Sequence, residues 1–107
     1  RKFDFSEFSF DCLISIGAFV HLDYDEFPLV IDSFKNMLLK EGLFLITLKQ
    51  GDGYSESKDG RVFTLWRDEK LRQIFKNLNL SVIDFSVQTS RLRKEDIWLE
   101  YLLKNIE

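Results

Sequence analysis

Apolar residues come in two spacings along this chain, and the alternation between them outlines its elements. Phe10-Asp11-Cys12-Leu13-Ile14-Ser15-Ile16 holds too many apolar side chains for a strand with one wet face, which predicts a strand covered on both sides. Leu43-Phe44-Leu45-Ile46-Thr47-Leu48 is more apolar still. Between them Phe27, Val30, Ile31, Phe34, Met37 and Leu38 recur every three or four residues and mark one face of a helix. Asp23 and Asp25 stand near the start of that helix, Pro28 falls in its first turn, and Gly42 is expected to close it in the left-handed conformation. The unit is strand, crossover helix, parallel strand.

The second half opens with a polar, glycine-rich stretch, Gln50 to Gly60, which reads as a long mobile loop. Arg61 to Trp66 forms a short extended piece. Leu71, Ile74, Phe75 and Leu78 then predict an amphipathic helix over Asp68 to Leu78, with acidic residues at its start and Asn79 as a left-handed cap. Leu80 to Gln88 and Ile97 to Asn105 read as strands joined by a short charged turn, Arg91 to Asp96, so they pair as an antiparallel hairpin. The predicted order is β-α-β-α-β-β.

Length and composition narrow the class. The 107 residues suffice for one core but are few for a doubly wound α/β fold with helices on both faces. A 45% hydrophobic and 15% aromatic content, with 11 phenylalanines, describes a packed globule and not a disordered tail. Fifteen basic residues against 18 acidic ones leave a formal charge of -3 without a long block of one sign, so no nucleic-acid partner is expected. The single cysteine, Cys12, excludes a disulfide framework within the chain and reads as an inert core thiol. No apolar run approaches the roughly 20 residues of a membrane helix, and Arg1-Lys2-Phe3-Asp4 lacks a signal-peptide core, so a soluble, cytoplasmic protein with no membrane partner is expected.

The words at the junctions carry a resemblance. Phe10-Asp11 enters the first strand, a short loop with a histidine leaves it over Gly17 to Leu22, and Leu39-Lys40-Glu41-Gly42-Leu43 leads into the second strand. Phe63-Thr64, the Leu71 to Leu78 helix and Asn79 follow in order. In this the chain resembles the C-terminal half of class I, type-11-like S-adenosylmethionine-dependent methyltransferases. The likeness spans essentially the whole chain, and its specificity lies in the order and spacing of the words. Glu41 stands where that family often has proline and Leu43 where it often has a second glycine.

The resemblance implies an α/β fold, a partial Rossmann-like methyltransferase sheet with two parallel strands and a C-terminal hairpin. It further implies that residues 1–107 are half of a domain. The family's glycine-rich turn and ribose-binding acid would precede Arg1, since Gly51-Asp52-Gly53 follows a strand but opens no helix. Methyl transfer from S-adenosylmethionine to a small-molecule substrate is the implied activity, with residues 1–107 alone inactive and of little cofactor affinity.

Candidate residues follow from the resemblance, each beside a plainer alternative. The loop after the first strand would line the methionine end of the cofactor with Ser15, Ile16, Gly17, Ala18 and Phe19, or Gly17 and Ala18 only turn the chain and Phe19 packs. His21 is a candidate base, or a capping residue. Lys49, Tyr54 and Arg61 are candidates for contact with substrate, or solvated surface, and Trp66 and Trp98 read as packing residues. A reading of another class is a noncatalytic α/β interaction module that self-associates through the exposed edge of the first strand.

Overall fold

The computed structural model describes residues 10–16, 19–89 and 96–106, with backbone alone for 10–16. The elements in chain order are β1 (Phe10–Ile16), α1 (Glu26–Lys35), β2 (Leu38–Gln50), β3 (Tyr54–Glu56), β4 (Val62–Trp66), α2 (Asp68–Asn77), β5 (Leu80–Thr89) and β6 (Ile97–Asn105). β1 and β2 run parallel, with Cys12 beside Leu43 and Ile14 beside Leu45. β6 lies antiparallel on the other edge of β2 and β5 antiparallel outside β6, as the short turn between them requires.

Alternation along β2 and β6 decides which face holds the core. Phe44, Ile46 and Leu48 lie opposite Leu103, Tyr101 and Leu99, and all six are buried. Phe27 and Ile31 of α1 and Leu71 and Phe75 of α2 cover that face. The opposite face presents Leu43, Leu45, Trp98 and Leu102, all half-buried. In β5 the register shifts between Val82 and Asp84, leaving Ile83 without a partner in β6 and 48% exposed, a bulge that bends this edge strand.

Two expectations need correction. α1 ends at Lys35, well before Gly42, because Asn36 and Met37 tighten the last turn through bonds to Asp32 O (3.0 Å) and Phe34 O (3.1 Å). Met37 and Leu38 extend the apolar spacing, but they are buried in the turn and at the start of β2, so periodicity alone carried the helix too far. The left-handed residue is Glu41 (φ 71°), and Gly42 is a buried residue inside β2. Regular pairing of β2 with both neighbours starts at Leu43.

The stretch from Gln50 to Gly60, expected as a loop, contains β3, which pairs antiparallel with β4 from Tyr54↔Thr64 to Glu56↔Val62. Its turn is closed by Ser57 N–H to Arg61 O (2.8 Å) and Gly60 N–H to Ser57 O (3.0 Å), with Gly60 at φ 85°. Glycine-rich composition here serves a hairpin. Asn79 is left-handed as expected (φ 57°), and its N–H caps α2 on Lys76 O at 3.1 Å. Among the described residues no helix is long and apolar enough to cross a membrane.

Candidate active site

One edge of β2 changes partner near its carboxyl end. β1 follows this edge as far as Ile16↔Thr47, and β4 takes it over, also parallel, at Lys49↔Leu65 and Gln50↔Trp66. The loop after β1 sits at this handover, because Thr64 N–H donates to Val20 O at 2.7 Å. Ligands of open α/β sheets bind beyond the carboxyl ends of such parallel strands, so this is where chemistry is to be sought.

His21 is fixed here by two contacts. Its Nδ1 lies 2.7 Å from the Val62 carbonyl, and its ring packs on Phe63 with centroids 4.8 Å apart and planes at 37°. A carbonyl oxygen only accepts, so Nδ1 carries the proton, and in the neutral ring Nε2 is left with its lone pair. The side chain is exposed.

Lys49 reaches the same ring from β2. Its Nζ stands 4.7 Å from the Phe63 centroid and 3.1 Å from Asp96 Oδ1, with side-chain exposures of only 7% for the lysine and 17% for the aspartate. A buried ammonium is tolerable when a carboxylate neutralises it, and Asp96 does so.

A second cluster holds the β3–β4 hairpin against the loop. The Tyr24 hydroxyl accepts the Gly53 N–H (3.1 Å) and lies close to the Leu65 carbonyl, to which it donates. The Tyr54 hydroxyl donates to Asp23 Oδ1 at 2.5 Å, and the same oxygen accepts the Tyr24 N–H at 2.7 Å. These bonds hold the Asp23 carboxyl below its ordinary range, and the Asp23 carboxylate pushes the Tyr54 phenol up to about 12. Tyr24 also packs edge-on against the buried Trp66, with centroids 4.8 Å apart.

The candidate residues thus separate. His21 and Lys49 meet at Phe63, whereas Tyr54 is engaged by Asp23. Arg61 lies exposed at the hairpin turn, its Nε 2.9 Å from Asp59 Oδ2. The Phe19 ring is buried against Phe34 (5.2 Å) and Phe44 (6.3 Å), and its carbonyl accepts the Leu22 N–H. Ser15 and Ile16 end β1 opposite Ile46 and Thr47, while Gly17 and Ala18 lie outside the described residues, as do the side chains of Asp11 and Cys12. Trp66 is fully buried; Trp98, half-buried, lies opposite Lys49 on β6. Asp23, Tyr24, Phe63 and Asp96 were missed as site residues, since each acts through a partner distant in sequence. Among the described residues no group of three or more His, Cys, Asp or Glu could hold a metal ion.

Several solved structures similar to this chain are methyltransferases. The 1,6-didemethyltoxoflavin-N1-methyltransferase of Burkholderia thailandensis, solved with 1,6-didemethyltoxoflavin and S-adenosylhomocysteine, matches 96% of this chain and 48% of its own length, at TM-score 0.78 and 15% identity. A SAM-dependent methyltransferase of Methanosarcina mazei matches 96% of this chain and 65% of its own, at 0.76 and 9%. The fold is that of part of a SAM-dependent methyltransferase. Magnesium protoporphyrin IX methyltransferase from Synechocystis, with bound SAM, is a more distant methyltransferase match at TM-score 0.62 and 13% identity, over 92% of this chain and 42% of its own. The chain therefore spans between two fifths and two thirds of the length of these methyltransferases. No protein-family model and no curated protein matches the sequence.

Proposed function

We propose that residues 1–107 form the C-terminal half of a methyltransferase domain that moves the methyl of S-adenosylmethionine to a small-molecule nucleophile. The observation that supports this best is the handover on β2, where parallel strand ends meet a histidine whose Nδ1–H is committed to Val62, so that in the neutral ring Nε2 carries the lone pair. When bound, the cofactor supplies an electrophilic methyl on a sulfonium.

The described residues fit such a cation. Lys49, whose backbone pairs with Leu65 near the carboxyl end of β2, has its ammonium neutralised by Asp96, which lowers the repulsion a sulfonium would meet there. Ser15 and Ile16 would line the cofactor with their backbone, together with Gly17 and Ala18, and Phe19 would shape the loop from the core side. His21 Nε2 takes the proton from the substrate hydroxyl or amine, and the hairpin bearing Tyr54 and Arg61 borders the substrate.

Full-length protein incubated with methyl-labelled cofactor and a panel of small phenols, amines and carboxylic acids is expected to transfer label. His21→Gln should lower kcat by about a hundredfold, the lower end of what a positioned base supplies. Absence of both cofactor binding and transfer in the full-length protein overturns the reading. Residues 1–107 contain no glycine-rich turn that follows a strand and opens a helix, so alone they should bind the cofactor weakly; micromolar affinity by titration calorimetry contradicts that part.

A second reading rests on a different observation: among the described residues no strand pairs with the outer edge of β1. An open edge invites another strand, so a noncatalytic module would self-associate there. A monomer by light scattering at high concentration counts against it.

A further inference from the structure

We infer that Lys49 is a positioning residue for His21, acting through Phe63 and not by touching substrate. The inference rests on the reading of His21 as the base. His21 is oriented by two groups of β4, the Val62 carbonyl that takes its Nδ1–H and the Phe63 ring against which it lies. Whatever holds those two groups therefore holds Nε2.

Lys49 holds both. Its backbone is one of the two β2 positions that pair with β4, opposite Leu65. Its ammonium lies over the Phe63 ring, where the ring's quadrupole attracts a cation. Asp96 pins that ammonium at 3.1 Å, so the lysine cannot swing away to solvent. A buried ion pair adds little net stability over an apolar pair of the same size, so the consequence of this one is geometric. The ammonium is also engaged on two sides, by the Asp96 carboxylate and the Phe63 ring.

His21 is the only histidine of residues 1–107, and its ring resonances, assigned by their loss in His21→Gln, report the coupling. In the wild-type protein, nitrogen-correlated NMR should show the Nδ1–H tautomer and ring protons displaced by the Phe63 ring current. Lys49→Met should lose most of that displacement and the tautomer preference, while Lys49→Arg, which keeps a cation over the ring, should retain them. In the full-length protein Lys49→Met should lower kcat about tenfold with KM unchanged, a fraction of the roughly 10²- to 10⁴-fold that a positioned base contributes. If Lys49→Met fails to fold, Lys49→Met with Asp96→Leu removes both charges together and should show the same spectroscopic loss.

A folded variant without the ammonium whose His21 keeps its tautomer and ring-current shift overturns the inference, and leaves the methyltransferase reading standing. If instead the His21 signature follows Lys49 while the full-length protein transfers no methyl, the coupling holds and the assigned function falls.

Discussion

The two edges of β2 are built by different means. Along the β6 edge seven consecutive pairs, Leu43↔Lys104 to Lys49↔Trp98, keep one register, and every second pair is buried under the helices. Along the other edge the partner changes from β1 to β4, and beside the backbone bond from Thr64 to Val20 the loop and hairpin at the change are held by individual side-chain bonds: Tyr24 to Gly53 and Leu65, Tyr54 to Asp23, His21 to Val62. Burial is spread over many contacts and gives a rigid, cooperative wall. Pins made of one hydroxyl or one imidazole can be rearranged one at a time, which suits an edge where a ligand must enter.

The sharpest way to break the first edge is Leu103→Ala. Leu103 is fully buried opposite Phe44, and its truncation should cost about 2–5 kcal/mol. Urea unfolding followed by far- and near-ultraviolet circular dichroism should shift in both signals together, since the loss falls on the common core. Separate transitions would show that the two edges unfold independently.

At the second edge Gly51→Ala tests backbone geometry. Gly51 sits at φ 152°, and an added Cβ would meet Leu65 Cδ1 at 2.7 Å and Leu65 Cβ at 3.1 Å. The cost should be about 1–3 kcal/mol for forcing a side chain into that conformation. Amide exchange should rise over 51–66 before it rises in β6. Tyr24→Phe is milder: it removes one hydroxyl from between Gly53 and Leu65 and should cost about 1 kcal/mol, read as faster exchange at the Gly53 amide.

The same contrast explains what was legible in the sequence. Alternation and helical spacing located β1, the regular part of β2, α2 and the β5–β6 hairpin, because burial follows periodicity wherever one face is covered. The end of α1 was not legible, since Met37 and Leu38 are buried by a turn and a strand as fully as a helix would bury them. Glu41 shows the limit of motif reading: it occupies the left-handed conformation expected of Gly42, and at φ 71° that position is closed to the proline that the resembled family often carries there. The β3–β4 hairpin was hidden by its glycines, and the Lys49–Asp96 pair by distance along the chain.

The smallest effect should come from Asp23→Asn, which alters a charge and almost no shape. The bond from the Tyr54 hydroxyl to the Asp23 carboxylate lowers the pKa of the carboxyl and raises that of the phenol to about 12. For the phenol, a folded value above the unfolded one means that its stabilising contribution is complete below pH about 10 and fades as pH rises toward 12. For the carboxyl the sign is opposite: a lowered folded value gives a contribution present above pH about 4 and lost as pH falls through the folded value. The latch therefore holds between these limits and loosens beyond each. In Asp23→Asn the phenolate absorbance of Tyr54 should titrate nearer 10, and amide exchange in the hairpin should lose its acid-side rise, while the midpoint of global unfolding near neutral pH stays put because both groups are exposed. A Tyr54 titration that remains near 12 without the Asp23 carboxylate would mean that burial, not this bond, sets the tyrosine, and the second edge would then resemble the first.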